Sequence, residues 1–212
     1  GILFDLGLSS WQLTGSGRGF SFIEDAPLDM RLGVGQVKTA ADVVNLYGLE
    51  ELANVIQNYG EEPRARRIAQ AIVWRRPIKT SAQLAKIVGG AASGNGKRKK
   101  IHPATRTFQA IRIAVNEDLE HLETALQQTL EVVRKGGRVV VISYHSLEDR
   151  IVKTFMRRES KNCICLPNVP ECVCGHQARV KLITKKVVKP TVVEVRENPR
   201  IRSAKLRVCE VI

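Results

Sequence analysis

Two apolar segments of this sequence each end on a residue that can accept a hydrogen bond or exchange a proton. Asp5 follows residues 2–4, and His145 follows the segment RVVVISY. Ligands of open α/β sheets bind beyond the carboxyl ends of the strands, so we expect Asp5 and His145 to lie at neighbouring strand ends. There, Asp5 can accept a hydrogen bond, and His145 can contact a base or phosphate or assist proton removal. The alternatives are that Asp5 caps the following loop through Ser9 and Ser10, and that His145 is structural.

Four cysteines form a second group with chemical potential. They are arranged as two C-x-C pairs six residues apart, with Cys209 separate. Four thiolates can enclose one tetrahedral zinc ion, although C-x-x-C is the more usual spacing. Two disulfides are disfavoured in a reducing compartment, and four free thiols are the remaining alternative. The residues expected to hold a structural zinc are Cys163, Cys165, Cys172 and Cys174.

The charge balance favours a polyanionic partner. The chain has 34 Lys and Arg against 21 Asp and Glu, a net charge of +13. Each phosphate that a basic side chain neutralises releases counterions, so nucleic acid fits this excess, although a generally basic enzyme would show it too. No apolar run approaches the roughly 20 residues needed to span a bilayer, which argues against a membrane protein.

The pattern along the chain predicts an α/β protein. Residues 1–8 and RVVVISYH predict buried strands, and residues 38–92 predict short helices, the first capped by Thr39. Residues 104–134 predict one long amphipathic helix, and a helix capped by Ser146 with Asp149 follows the second strand. A Cys-containing loop over 160–178 precedes two further strand candidates, so we expect an open sheet with an antiparallel edge.

Several longer motifs make the sequence specific, and they occur in a fixed order. They are FDLGLSSWQL, GRGFSF, APLDMR, NYGEEPRARRIAQAI, HPATRTFQAIRIAVNEDLE, ISYHSLEDRIVK and NPRIRSAKLRV. Together they resemble the bacterial small-subunit ribosomal RNA cytosine-N4 methyltransferase family (RsmH, formerly MraW), and the resemblance covers essentially the whole chain.

The resemblance implies a class I, Rossmann-like S-adenosylmethionine methyltransferase sheet, present in part and interrupted by a helical substrate domain. Residues 1–37 would carry the fourth strand and the active-site loop. Residues 38–103 would be the inserted substrate-binding domain with a basic linker. Residues 104–212 would be the C-terminal half of the methyltransferase domain.

The same resemblance implies roles for individual residues in methylating the N4 amine of one cytidine in the decoding region. Asp5 and His145 would be catalytic, with Asp5 and Gln12 contacting S-adenosylmethionine. We expect Phe20 to stack on an extruded base and Phe22 to fill the core, and the alternative is that both rings fill the core. The residues expected to contact ribosomal RNA are Arg18, Phe20, Arg106, Lys97, Arg98, Lys99 and Lys100, with further arginines at 64, 66, 67, 75 and 76.

The sequence departs from the family pattern because the glycine-rich turn that cradles the methionine part of the cofactor is missing from it. We therefore expect these residues alone to bind S-adenosylmethionine poorly and to be inactive. The alternative function is a non-catalytic RNA-binding module, and a helix-turn-helix DNA-binding regulator over 38–92 is a weaker third. The partner would be small-subunit ribosomal RNA in the cytoplasm, without a membrane.

Overall fold

The structure is a computed structural model, and it describes residues 1–33, 35–92, 102, 104–166 and 171–212. The chain divides into two compact units. The first comprises residues 1–7 and 119–212 and is called the sheet unit here. The second comprises residues 8–118 and is called the helical unit. In the part of the chain described, no helix is both long and apolar enough to cross a membrane.

The sheet unit contains the strands described together with several helices, and the regular elements described in the helical unit are helices. In chain order, the elements described are β1 (Ile2–Asp5), α1 (Ser10–Thr14), α2 (Ala40–Leu46), α3 (Leu49–Gly60), α4 (Ala65–Val73), α5 (Ser81–Ala92), α6 (Ala104–Asn116), α7 (Asp118–Val132), β2 (Arg138–Ser143), α8 (Ser146–Glu159), β3 (Val180–Leu182), α9 (Val192–Glu197), a 3-10 helix (Pro199–Ser203) and β4 (Lys205–Val211).

The sheet has four strands in the order β1-β2-β4-β3. β1 runs parallel to β2 with Asp5 opposite Ile142, and β4 runs antiparallel to both β2 and β3. Val139 and Val141 of β2 are buried in an apolar core with residues of α7 and α8, such as Leu126 and Phe155. The expected open α/β sheet with an antiparallel edge is therefore confirmed, and its parallel pair brings the ends of β1 and β2 to one edge.

The helical unit packs α2–α6 around one apolar core. Thr39 caps α2, as its sequence predicts, and accepts a hydrogen bond from the backbone N–H of Asp42. The segment before α2 belongs to the same core, because Leu28 and Met30 are fully enclosed there. This unit therefore extends on both sides of the segment 38–103, whose role as a substrate domain stays a prediction.

Two expectations about helices were wrong. The single helix expected over 104–134 is two helices, because Glu117 adopts a left-handed backbone with φ of 53° between α6 and α7. Periodicity alone missed this break, since apolar residues keep the same spacing on both sides of it. Helix α8 is capped by His145 with Glu148 instead of Ser146 with Asp149. The short helices α1 and α9 were not expected at all.

Candidate active site

The ends of β1 and β2 are joined by a side-chain hydrogen bond. The hydroxyl of Tyr144 donates to Oδ1 of Asp5 at 3.0 Å, and the backbone N–H of Leu6 donates to Ile142 at 3.0 Å. Asp5 is exposed, so its carboxylate faces solvent at the strand end. The predicted position of Asp5, at a strand end beside the strand that leads to His145, is confirmed.

Tyr144 is the residue that the sequence reasoning missed. Burial raises the pKa of Tyr144, and its hydrogen bond to Asp5 and the charge of that carboxylate raise it further. The phenol is therefore a stable donor at neutral pH and fixes one oxygen of Asp5. The signal was present in the sequence, because Tyr144 stands directly before His145 at the same strand end.

His145 is built into the start of α8. Its Nδ1 accepts a hydrogen bond from the backbone N–H of Glu148 at 3.4 Å, and its Nε2 lies 2.9 Å from Oε1 of Glu148 without hydrogen-bond alignment. Glu148 is buried and accepts hydrogen bonds from the backbone N–H groups of Tyr144 and His145 at 2.8 and 3.2 Å. This arrangement supports a structural role for His145, and its catalytic role stays a prediction.

Asp149 ties α8 to the sheet. Its carboxylate lies 2.7 Å from Nε of Arg207 and 3.2 Å from Nζ of Lys205, both on β4. Although burial alone raises the pKa of Asp149, hydrogen bonds from Arg207 and Lys205 lower it below its ordinary value. The position of α8 beside the strand ends is thus fixed by a charged pair as well as by apolar packing.

In the helical unit, Gln12 lies in α1 and closes a capping box with Ser9. Its side-chain oxygen accepts the Ser9 N–H at 2.8 Å, and its own N–H donates to the Ser9 hydroxyl at 3.2 Å. The side-chain NH₂ of Gln12 is therefore the group that can donate to a ligand. Its contact with a cofactor stays a prediction.

The loop before α2 is stabilised by contacts among its own residues. Arg31 contacts Asp29 at 2.7 Å. The hydrogen bond from Arg31 lowers the pKa of Asp29, although burial opposes it. Arg18 donates to the carbonyl of Arg31 at 2.9 Å, so the guanidinium expected to hold a phosphate supports this loop.

Asn116, the last residue of α6, holds the same loop from the other side. Its side chain donates to the carbonyl of Met30 at 2.8 Å and accepts from the N–H of Leu32 at 2.8 Å. Asn116 is buried, and Met30 has a positive φ of 55° with its side chain fully enclosed. Sequence reasoning passed over Asn116 because it is one polar residue within an amphipathic stripe.

The two phenylalanines of GRGFSF both pack against the core of the helical unit. Phe20 is 8% exposed and lies in the helical unit's core, so its ring does not face a nucleobase, and that expectation was wrong. Phe22 is only partly buried and stacks on His102 with ring centroids 4.5 Å apart. At Gly19, the residue before Phe20, the backbone lies so close to the carbonyl oxygen of Pro27 that a Cβ has no room.

Arg106 and the basic segment 97–100 are two of the remaining sets of residues expected to contact RNA. Arg106 donates to the carbonyl of Glu61 at 3.2 Å and lies 3.5 Å from the buried carboxylate of Glu62. Its RNA contact stays a prediction. The other set lies outside the described residues and comprises Lys97, Arg98, Lys99 and Lys100.

The four cysteines predicted to bind metal are brought together. Their Sγ atoms all lie within 4.8 Å of one another, at the exposed end of the connection between α8 and β3. Hydrogen bonds from the backbone N–H groups of Ile164 and His176 lower the pKa of Cys174 to about 6. Cys209, in contrast, is buried in β4, and burial raises its pKa to about 11.

The parallel strand pair, its antiparallel edge and the helices packed on it define a Rossmann-like open α/β sheet, the class that many methyltransferases use. The carboxylate at the end of β1 stands where that class binds its ligands. A family model described as the MraW methylase family matches residues 1–212, and the chain belongs to this family. The resemblance seen in the sequence motifs is therefore confirmed.

Curated relatives support the same assignment. The chain is 56% identical to the ribosomal RNA small subunit methyltransferase H of Dehalococcoides mccartyi strain 195, over 99% of this chain and 60% of that protein. It is 54% identical to the protein of the same name from Thermomicrobium roseum, over 99% of this chain and 65% of the relative. The corresponding Geobacter sulfurreducens protein is 53% identical, over 99% and 68%. The chain thus spans about three fifths of the length of the first relative.

Proposed function

We propose that the protein is an S-adenosylmethionine-dependent methyltransferase that methylates the N4 amine of a cytidine in the decoding region of small-subunit ribosomal RNA. The relatives' shared name supports the reaction class and the RNA. The observation that carries the proposal is the exposed Asp5 carboxylate held by Tyr144 at the end of the parallel strand pair. Because bacterial ribosomes are assembled in the cytoplasm, the proposed reaction takes place there.

The residues at this strand end suit a cationic ligand and an amine. Asp5 is exposed and acts as an acceptor, and its hydrogen bond from Tyr144 leaves lone pairs on both carboxylate oxygens. S-adenosylmethionine, when bound, supplies an electrophilic methyl group on a positively charged sulfur. Asp5 would lie near that charge.

The residues of this chain orient the amine and accept its proton. The exocyclic nitrogen of cytosine is a weak nucleophile because its lone pair is delocalised into the ring. Asp5 accepts one N–H hydrogen bond and so aligns the nitrogen. As the nitrogen gains the methyl group it loses a proton, which the Asp5 carboxylate takes up and releases to water.

The test is transfer of labelled methyl groups to small ribosomal subunits that lack this modification, using the full-length gene product. Asp5→Asn is expected to lower kcat at least about 100-fold, because an amide cannot take up the proton. Glu123→Ala is the matched control, since Glu123 is an exposed carboxylate on α7 of the same unit. Methylation of another nucleotide, or full turnover by Asp5→Asn, would contradict the proposal. RNA binding without any transfer would favour the non-catalytic module instead.

A further inference from the structure

We propose that Cys163, Cys165, Cys172 and Cys174 bind one structural zinc ion through four thiolates. The Sγ atom of Cys174 lies 3.6 Å from that of Cys172 and 3.8 Å from that of Cys163. In a tetrahedral site with Zn–S bonds of about 2.3 Å, neighbouring sulfur atoms are about 3.8 Å apart. These two separations match the one that a single zinc ion requires, and all four Sγ atoms lie within 4.8 Å of one another.

The spacing distinguishes this site from other uses of four cysteines. A disulfide joins two sulfur atoms at about 2.05 Å and would divide the group into two pairs. The thiols instead form one cluster, with every pair of Sγ atoms within 4.8 Å. A four-iron cluster would stand between its thiolates and hold them farther apart. A mononuclear site with soft thiolate ligands favours zinc.

The surrounding chain has the features of a metal knuckle. The backbone N–H of Ile164 donates to Sγ of Cys174 at 3.4 Å, a contact that stabilises a ligating thiolate. Gly175 follows the last cysteine with a φ of 60°, a left-handed conformation that suits glycine. Open space surrounds the position of its absent Cβ, so the backbone turn itself calls for glycine here.

In the described part of the connection between α8 and β3, two apolar side chains are not covered by packing. Leu166 and Val173 are 77% and 81% exposed. The two ends of the connection are joined by a backbone hydrogen bond, since the Arg179 N–H donates to the carbonyl of Glu159 at 2.8 Å. The four cysteines lie beyond that hydrogen bond. A zinc ion would order this end of the connection, as metals do in small segments without a core.

The site is structural because four thiolates complete the coordination of zinc and leave no position for a substrate. The expected result for the purified protein is about one zinc per chain by elemental analysis, released by a mercurial and detected with a zinc-binding dye. Cys172→Ala is expected to lose the metal. Cys209→Ala, which removes the buried cysteine of β4, is expected to keep it.

Two further measurements distinguish loss of the metal site from a general folding defect. Circular dichroism checks that Cys172→Ala keeps its helices. Limited proteolysis of the unmodified protein is expected to cut within residues 160–178 only after chelation. The proposal is overturned by a protein without stoichiometric metal, by a mass that shows two disulfides, by stoichiometric iron, or by zinc that survives in Cys172→Ala.

A separate observation in the helical unit supports a second proposal, which depends on the proposed function. A groove of about 590 Å³ lies between α4 and α5. Three cationic side chains line it and no acidic one does, and the indole of Trp74 beside them is 74% exposed. The lining residues that matter here are Arg67, Trp74, Arg75, Lys86 and Gly90.

We infer that this groove binds a single-stranded segment of the substrate RNA. An exposed indole offers a stacking face to an unpaired base, and the cations beside it neutralise phosphates. Gly90 adds no side chain, and the space where its Cβ would be is open. Stacking plus positive charge fits RNA better than an apolar protein segment, which would need a groove without three cations.

The test is the affinity of the full-length protein for a fluorescent single-stranded RNA from the decoding region. Trp74→Ala is expected to weaken binding roughly tenfold. Lys86→Ala is expected to reduce the salt dependence by about one phosphate contact. Leu46→Ala and Lys79→Ala, exposed residues outside the groove, are the controls and are expected to bind normally.

The outcomes separate this inference from the proposed function. If Trp74→Ala and Lys86→Ala methylate normally and bind RNA with unchanged affinity, the proposal that the groove binds RNA is overturned and the proposed function stands. Weakened binding in those variants of a protein that transfers no methyl group supports the groove and overturns the proposed function.

Discussion

Tyr144 and Asp5 are 139 residues apart in the chain, yet the Tyr144 hydroxyl donates a 3.0 Å hydrogen bond to the Asp5 carboxylate. Their strands are neighbours in a parallel pair, so the bond joins two carboxyl ends at one sheet edge. The consequence is that the carboxylate proposed to orient the substrate amine is itself oriented by a second strand.

Tyr144→Phe is therefore expected to lower kcat/KM about tenfold, equivalent to about 1.4 kcal/mol of lost orientation. The fold should persist, because the ring and its packing remain. Methyl transfer to small subunits measures the effect, and Tyr47→Phe in the helical unit serves as the control. A larger loss of kcat/KM in Tyr47→Phe than in Tyr144→Phe would show that the Tyr144 hydroxyl does not orient Asp5 for the reaction.

The raised pKa of Tyr144 also predicts an alkaline effect on stability. A phenol with a folded pKa above its unfolded value of about 10 stabilises the fold below that pH, and this contribution falls as pH rises through the folded pKa. The unmodified protein is thus expected to lose more stability above about pH 10 than Tyr144→Phe does. Denaturant unfolding at pH 8 and at higher pH measures the difference, and parallel curves for both proteins would contradict it.

Asp149 predicts the opposite dependence in acid. Its folded pKa is lowered by Arg207 and Lys205, so its contribution is present above the unfolded pKa of about 4 and disappears as pH falls through the folded value. Asp149→Asn is expected to lose about 2 kcal/mol at pH 7, because Arg207 is left largely buried without its partner. Its deficit should shrink below about pH 4.

The matched control for Asp149 is an exposed ion pair in the same unit. Glu131 lies 3.1 Å from Arg179, but both side chains are well exposed. Glu131→Gln is expected to change stability by less than about 0.5 kcal/mol at any pH. Equal effects of the two substitutions at pH 7 would show that burial of the Asp149 pair is unimportant.

The sheet could be predicted from the sequence because its signals are local. RVVVIS is rich in β-branched residues, as strands are, and residues 2–4 supply its parallel neighbour. The pairing of Tyr144 with Asp5 could not be predicted in the same way. It depends on the register of two strands far apart in sequence, and that register places Asp5 opposite Ile142.

The errors have similar physical causes. The α6–α7 break at Glu117 is imposed by a left-handed backbone, which hydrophobic periodicity does not report. The start of α8 offered two capping boxes one residue apart, and the one chosen in the structure buries Glu148. Phe20 is buried in the core of the helical unit, a tertiary arrangement that the local motif does not report. In each case a long-range contact or a backbone conformation decides the structure, and the local sequence pattern does not reveal it.

Asn116 is expected to be the main polar support of the loop before α2. Asn116→Ala removes the acceptor of the partly buried Leu32 N–H and the donor to the buried Met30 carbonyl, and should cost about 2 kcal/mol. The hydrogen-exchange rate of the Leu32 amide should rise by the factor that corresponds to this loss of free energy. Asn54→Ala on the exposed face of α3 is the control and should change stability by a few tenths of a kcal/mol. Protection of Leu32 in Asn116→Ala would contradict this role.

Gly60 and Gly89, the first ending α3 and the second within α5, are expected to respond oppositely to the same substitution. A Cβ at Gly60 would lie 2.7 Å from the carbonyl oxygen of Arg106 and 3.3 Å from the Cβ of Ala110. Because the nearer atom is backbone, α3 and α6 must separate, and Gly60→Ala should cost about 1–3 kcal/mol. A Cβ at Gly89 meets open space, so Gly89→Ala should stabilise α5 by up to about 1 kcal/mol. Denaturant midpoints that move in opposite directions would support this packing, whereas a stabilised Gly60→Ala would show that α3 and α6 approach less closely.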